Sequence, residues 1–165
     1  MNCPNCGARM RLDEGADHWS CDFCLTLHAP DPDEDGLSLL GAAQEDCPLC
    51  RRPLNHAVLA GVRLLSCPEC HGILMPMEGF VPVAERLRAN LPGTSIPLAP
   101  PPERQLQRRI TCPRCRQTMN THLYGGPGRI IIDSCETCAQ VWLDGGELRR
   151  VASAPDYHYR PAKEQ

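Results

Sequence analysis

Apolar residues in this chain come in short, separated runs. Val58-Leu59-Ala60-Gly61-Val62-Arg63-Leu64-Leu65 supplies strand material on both sides of a turn at Gly61. Ile130-Ile131-Ile132 reads as a strand after Gly125-Gly126-Pro127-Gly128. That turn lacks the Gly-Lys-Ser/Thr ending of a phosphate loop and so reads as a hairpin connection. Phe80, Val83, Ala84 and Leu87 recur at helical spacing, with Glu85, Arg86 and Arg88 between them. Pro82 is expected in the first turn of that helix, where a missing N–H costs nothing. Val141-Trp142-Leu143 leads into a second short helix. Asp144 and Glu147 open it at capping-box spacing, with Asp in the Ser/Thr role. Arg149 and Arg150 fall near its end, where the helix dipole favours cations. Trp142, Leu148 and Val151 are its packing residues. Trp19 sits in a short strand-like segment, and Leu37 to Ala43 suggests a helical turn.

Between these runs the chain is punctuated by 17 prolines and 13 glycines, too often for long helices or a broad sheet. Residues 29–46 begin Ala29-Pro30-Asp31-Pro32-Asp33-Glu34-Asp35-Gly36 and read as an acidic, solvated linker. Residues 92–109 are rich in proline and arginine and read as a second, semi-rigid linker. Three modules remain, at 1–28, 47–91 and 110–152, with a tail at 153–165. Aromatic residues are only 4% of the chain, so each module has a thin core. Units of that size need a staple, either disulfides or metal.

The cysteines indicate which. All twelve fall into six Cys-x-x-Cys pairs: Cys3/Cys6, Cys21/Cys24, Cys47/Cys50, Cys67/Cys70, Cys112/Cys115 and Cys135/Cys138. The gaps between consecutive pairs are 14, 22, 16, 41 and 19 residues. Two pairs separated by about 15–20 residues are the spacing of a zinc site. Grouping first with second, third with fourth and fifth with sixth therefore gives three four-cysteine sites. A two-residue interval lets one tight turn aim both thiolates at an ion, and a hairpin brings a second turn alongside to complete a tetrahedron. Pro4, Pro48, Pro68 and Pro113 each follow the first cysteine of a pair and fix φ for that turn. Backbone amides later in the turn are then free to support the sulfurs.

A thioredoxin-like redox motif accounts for one such pair, not six. Iron in a rubredoxin-like site uses the same ligand set and is the runner-up to zinc. Disulfides require an oxidising compartment. Met1-Asn2-Cys3-Pro4 opens directly into a motif with no secretory features, and no apolar run approaches the roughly 20 residues that span a bilayer. The expected location is the cytoplasm. His71 follows Cys70 directly, but four cysteines already complete that site. His18, His28, His56, His122 and His158 have no metal-ligand spacing.

The segment from Cys112 onward resembles the bacterial zinc-finger family described as transcription factor IIB-type zinc ribbons. Cys112-Pro113-Arg114-Cys115 and Cys135-Glu136-Thr137-Cys138 match its ligand positions, and Trp142-Leu143-Asp144 with Gly146-Glu147-Leu148 match its tail. Ala139-Gln140 replace the family's glycine pair. The second module is a degenerate copy, with Leu74-Met75-Pro76 where Trp-Leu-Asp stands and Phe80 at the closing leucine position. The first module shares only the ligands. The resemblance implies zinc and a small α+β, β-rich fold: tandem zinc ribbons, with short helices after modules two and three. It implies no particular activity.

Zinc held by four cysteines has no open position for water or substrate, and no nucleophile elbow or triad is legible, so enzymatic activity is not expected. Two binding roles remain. The formal charge is −3, and three zinc centres, each a dication with four thiolates and so −2, take it to about −9. Such a chain repels phosphate backbones overall. The acidic balance is uneven: residues 1–46 carry ten acids and two bases, whereas 103–165 carry ten bases and seven acids. A non-catalytic scaffold that contacts other proteins is the expected role. The alternative is a nucleic-acid-binding or transcription-associated factor that uses Arg104, Arg108, Arg109, Arg114 and Arg116 around the third ribbon.

Overall fold

The computed structural model describes residues 1–13, 16–91 and 100–154. The first ribbon is built from three two-residue strands, β1 (Arg11–Leu12), β2 (Trp19–Ser20) and β3 (Leu27–His28). They pair antiparallel in the order β1-β2-β3. So small a sheet buries little: its core is Cys3, Met10 and Cys21, with Ala8, Trp19 and Cys24 packed against them. Its second turn leaves Phe23, Leu25 and Leu27 largely exposed.

Chain order then runs β4 (Leu37–Asp46), β5 (Pro53–Leu59), β6 (Val62–Ser66), β7 (Ile73–Pro76) and α1 (Met77–Asn90). It continues with α2 (Glu103–Gln107), β8 (Asn120–Leu123), β9 (Ile131–Cys135), β10 (Gln140–Leu143) and α3 (Glu147–Ser153). The strands from β4 to β10 form one sheet in the order β4-β5-β6-β7-β10-β9-β8, every neighbouring pair antiparallel. The second and third ribbons are therefore halves of a single sheet.

The joint between them is close to two-fold symmetric. β7 and β10 pair so that Ile73 faces Leu143, Leu74 faces Trp142, Met75 faces Val141 and Pro76 faces Gln140. Leu74 and Trp142 occupy the same place in their ribbons, four residues past the last cysteine. Each is paired with its own counterpart, so an approximate dyad passes between them. Strands β5-β6-β7 and β8-β9-β10 are related across it, and α1 packs on α3.

Side chains alternate across a strand, which separates two cores. On one face Ile73, Met75, Val141 and Leu143 pack with Phe80 and Val83 of α1 and Leu148 and Val151 of α3. Phe80 meets Tyr124 edge to face, with ring centroids 5.0 Å apart. On the other face Leu54, Leu65, Leu74 and Trp142 pack among the cysteines of the second and third ribbons. Helices cover one side and metal centres the other.

Several expectations change here. Residues 37–46, read as linker with a helical turn, form the edge strand β4, paired to β5 with a bulge near Leu40. Leu40 is buried, and Gly41, at φ 144°, lies under the Trp19 ring. A short apolar run does not reveal its period, and the partner strand decides it. Helix α1 starts at Met77, so Pro82 lies in its second turn. The carbonyl this leaves without a helical partner belongs to exposed Glu78, where water serves. Within the stretch read as a second linker, 103–107 is helical, and 92–99 lies outside the described residues. Helix α3 reaches Ser153, and Ala154 is buried, so the third ribbon continues past 152; the rest of the tail, 155–165, also lies outside the described residues.

Candidate metal centres

Each cysteine pair lies in the same tight turn. In the first five pairs the residue after the second cysteine donates its N–H to the carbonyl of the first: Gly7 to Cys3, Leu25 to Cys21, Arg51 to Cys47, His71 to Cys67 and Arg116 to Cys112, at 2.9–3.1 Å. In the sixth, Ala139 bonds to Glu136 instead. The residue in that place has positive φ in all six turns, from 51° at Ala139 to 75° at Gly7. Glycine takes this conformation freely, as in the first ribbon, whereas other residues meet their own Cβ. The turn also points amides at sulfur. The Cys50 N–H reaches Cys47 Sγ at 3.4 Å. The Asn5 and Cys6 amides likewise point at Cys3.

The turns converge as the spacing anticipates. Cys3, Cys6, Cys21 and Cys24 form one cluster, Cys47, Cys50, Cys67 and Cys70 a second, and Cys112, Cys115, Cys135 and Cys138 a third. Within each, all four sulfurs lie within 4.8 Å of one another. Sulfurs about 2.3 Å from a tetrahedral ion stand about 3.8 Å apart. The pairs Cys3/Cys24 at 3.5 Å, Cys47/Cys50 at 3.7 Å and Cys115/Cys135 at 3.5 Å fit that shell. None of the twelve cysteines is in a disulfide.

Protons divide unevenly among these thiols. The Thr26 hydroxyl and N–H hold Cys24 down to about 5. Against the Ala8 N–H, Cys24, burial and Cys21 push its neighbour Cys6 up to about 12. In the third cluster the Gln117 N–H lowers Cys115 to about 7, and Cys115 with burial pushes Cys138 up to about 12. Four negative sulfurs this close repel one another, and a bound dication lets all four ionise. The three clusters are metal-binding sites.

A buried polar network supports the third. Arg108 pairs with Asp133 at 2.6 Å and Asp144 at 2.7 Å, while Gln105 donates to Asp144 and Glu147, both at 2.8 Å. Trp142 Nε1 donates to Asp144 at 3.0 Å, which fixes the indole over Gly72. The capping box expected of Asp144 and Glu147 is not formed, because α3 starts at Glu147 with Gly146 at its N-cap, at φ 86°, and no side-chain cap. Glu147 accepts the Asp144 N–H at 2.7 Å, but the Asp144 carboxylate is taken by Trp142, Gln105 and Arg108. Burial, with Asp144 nearby, pushes Glu147 up to about 7 against the lowering hydrogen bonds of Asp144 N–H and Gln105.

Arg108 consequently leaves the basic cluster expected around the third ribbon, because its guanidinium faces inward. Arg109 is exposed and donates to the carbonyls of Leu106 and Arg108, and Arg104 is exposed on α2. Arg114 and Arg116 line a groove of about 710 Å³ between the second and third centres. Sequence reasoning missed its third arginine, Arg51. The available signal was positional, since Arg51 and Arg116 follow corresponding cysteines.

The tail of this ribbon carries the distinguishing pattern: Trp142 and Leu143 in β10, Asp144 in the network, Glu147 and Leu148 at the start of α3. Residues 111–154 match the TFIIB-type zinc-ribbon family, described as a transcription factor zinc-finger. The TFIIB-type ribbon thus spans the third metal site, its hairpin and α3. The chain matches no curated protein and no solved structure.

Proposed function

We propose that this protein is a zinc-binding, non-catalytic interaction scaffold whose ribbon surfaces contact other proteins. The observation that carries the reading is that each centre has a full set of four cysteines. They complete a tetrahedron around the ion and leave it no position for substrate, so the metal's work is to hold hairpins together. Zinc suits that role because it has no redox chemistry and takes tetrahedral sulfur readily. Elemental analysis of the purified protein is expected to find zinc; iron, with its visible absorption, contradicts this.

The match to a transcription factor zinc-finger, together with exposed Arg114 and Arg116, supports a second reading, nucleic-acid binding through the third ribbon. The acidic balance opposes it, as does the inward-facing Arg108. Affinity for DNA and RNA measured against salt separates the two. Protein contact predicts no binding tighter than about 100 μM at physiological salt, within the range of nonspecific association. Micromolar binding with a steep salt slope favours the second reading. No described helix is long and apolar enough to cross a membrane.

A further inference from the structure

The groove between the second and third centres is lined by Glu45, Asp46, Arg51 and His56 from the second ribbon and its edge strand and by Arg114 and Arg116 from the third. All three arginines are exposed. Among the described residues their side chains take part in none of the ion pairs, which include those of Arg11, His18, Arg108 and Arg149. Arg51 and Arg116 reach the groove from corresponding positions on the two sides of the approximate dyad. Each also sits at the left-handed place in its turn, with φ of 60° and 62°. The turn itself requires no side chain there, since Gly7 fills the same place in the first ribbon at φ 75°. An arginine adopts this conformation at an energetic disadvantage to glycine. Among the described residues neither guanidinium has an ion-pair or hydrogen-bond partner.

We propose that this groove binds an extended segment of another protein carrying two or three carboxylates. The assignment rests on the protein-contact reading above and names a surface for it. Guanidinium forks recognise carboxylates through paired N–H donors, and three of them line this groove without a partner among the described residues. Phosphates of single-stranded nucleic acid offer similar chemistry, but no Phe, Tyr or Trp lines the groove, and His56 is the one ring in its lining that could stack a base. Glu45 and Asp46 also line the groove and accept N–H donors, which a peptide backbone offers and a phosphodiester backbone lacks.

The test uses the full-length zinc-loaded protein and two fluorescent probes, a hexaglutamate peptide and a six-nucleotide oligothymidylate. Binding is followed by anisotropy at about 50 mM salt, where exposed charges are weakly screened. The variant is Arg51→Gly with Arg116→Gly. Glycine suits both φ values, so melting temperature and metal content are expected to stay at or above wild type. Hexaglutamate affinity is expected to fall at least tenfold. Unchanged hexaglutamate binding in the variant, or no binding by the wild type, overturns the groove assignment and leaves the protein-contact reading standing. Preference for oligothymidylate, lost in the same variant, overturns both.

Discussion

At the scale of single residues, two positions show how closely the second and third ribbons interlock. A Cβ added to Gly72 would lie 2.3 Å from Trp142 Cζ2, and one added to Gly145 would lie 2.4 Å from the Cys70 carbonyl oxygen. Trp142 is fully buried and tied to Asp144, so it has nowhere to swing. Gly72→Ala should therefore destabilise by about 1–3 kcal/mol, the usual cost of overpacking. Denaturant unfolding that shifts by less than about 0.5 kcal/mol would contradict this contact. Glu147 gives a second test. Its folded pKa of about 7 lies above the unfolded value, so the folded state holds a proton that the unfolded chain releases. Its contribution to stability is complete below about pH 4.5 and fades as pH rises through 7. Metal affinity runs the opposite way, because protons compete for thiolates. Comparing wild type with Glu147→Gln cancels that shared trend. The variant should gain about 1–3 kcal/mol relative to wild type between pH 5.5 and 8, and a flat difference would show an ordinary carboxylate.

Among elements, what the sequence revealed depended on how local the determinant was. The cysteine turns were legible because each is fixed within six residues, and the hairpins because the turns demand them. The helices were legible in kind from Phe80, Val83 and Leu148, although Pro82 misled about where α1 begins. Residues 37–46 were misread because Leu37, Leu39 and Leu40 have no clear period until β5 lies beside them. The inward turn of Arg108 depends on Asp133 and Asp144, which lie 25 and 36 residues away. Nothing near Arg108 distinguishes it from its exposed neighbour Arg109. The groove was hidden for the same reason, since its arginines come from ribbons more than sixty residues apart in the chain. The shared sheet also predicts how damage spreads. Cys112→Ser removes a ligand from the third centre, and hydrogen exchange in β7 should quicken along with that in β10, because the two strands are paired. Cys3→Ser, in a separate sheet, should leave both unchanged. Full protection of β7 in Cys112→Ser would contradict the joint.

For the whole molecule, two structural units follow from three metal sites. The first ribbon has its own small sheet and touches the rest through Trp19 on Gly41 and Arg63 near the Asp13 carbonyl at 3.5 Å. The second and third share a sheet, two cores and the α1–α3 contact. The first ribbon's apolar core is slight, and we propose that coordination supplies what the cores alone do not in offsetting the entropy of ordering the chain. Native mass spectrometry of the protein purified without added metal tests this most directly. The account predicts one dominant folded charge-state series carrying three zinc ions, with chelation shifting the chain to the metal-free mass and to the higher charge states of an unfolded polypeptide. A metal-free chain that keeps the compact series would contradict it, as would a folded form that saturates at one or two ions.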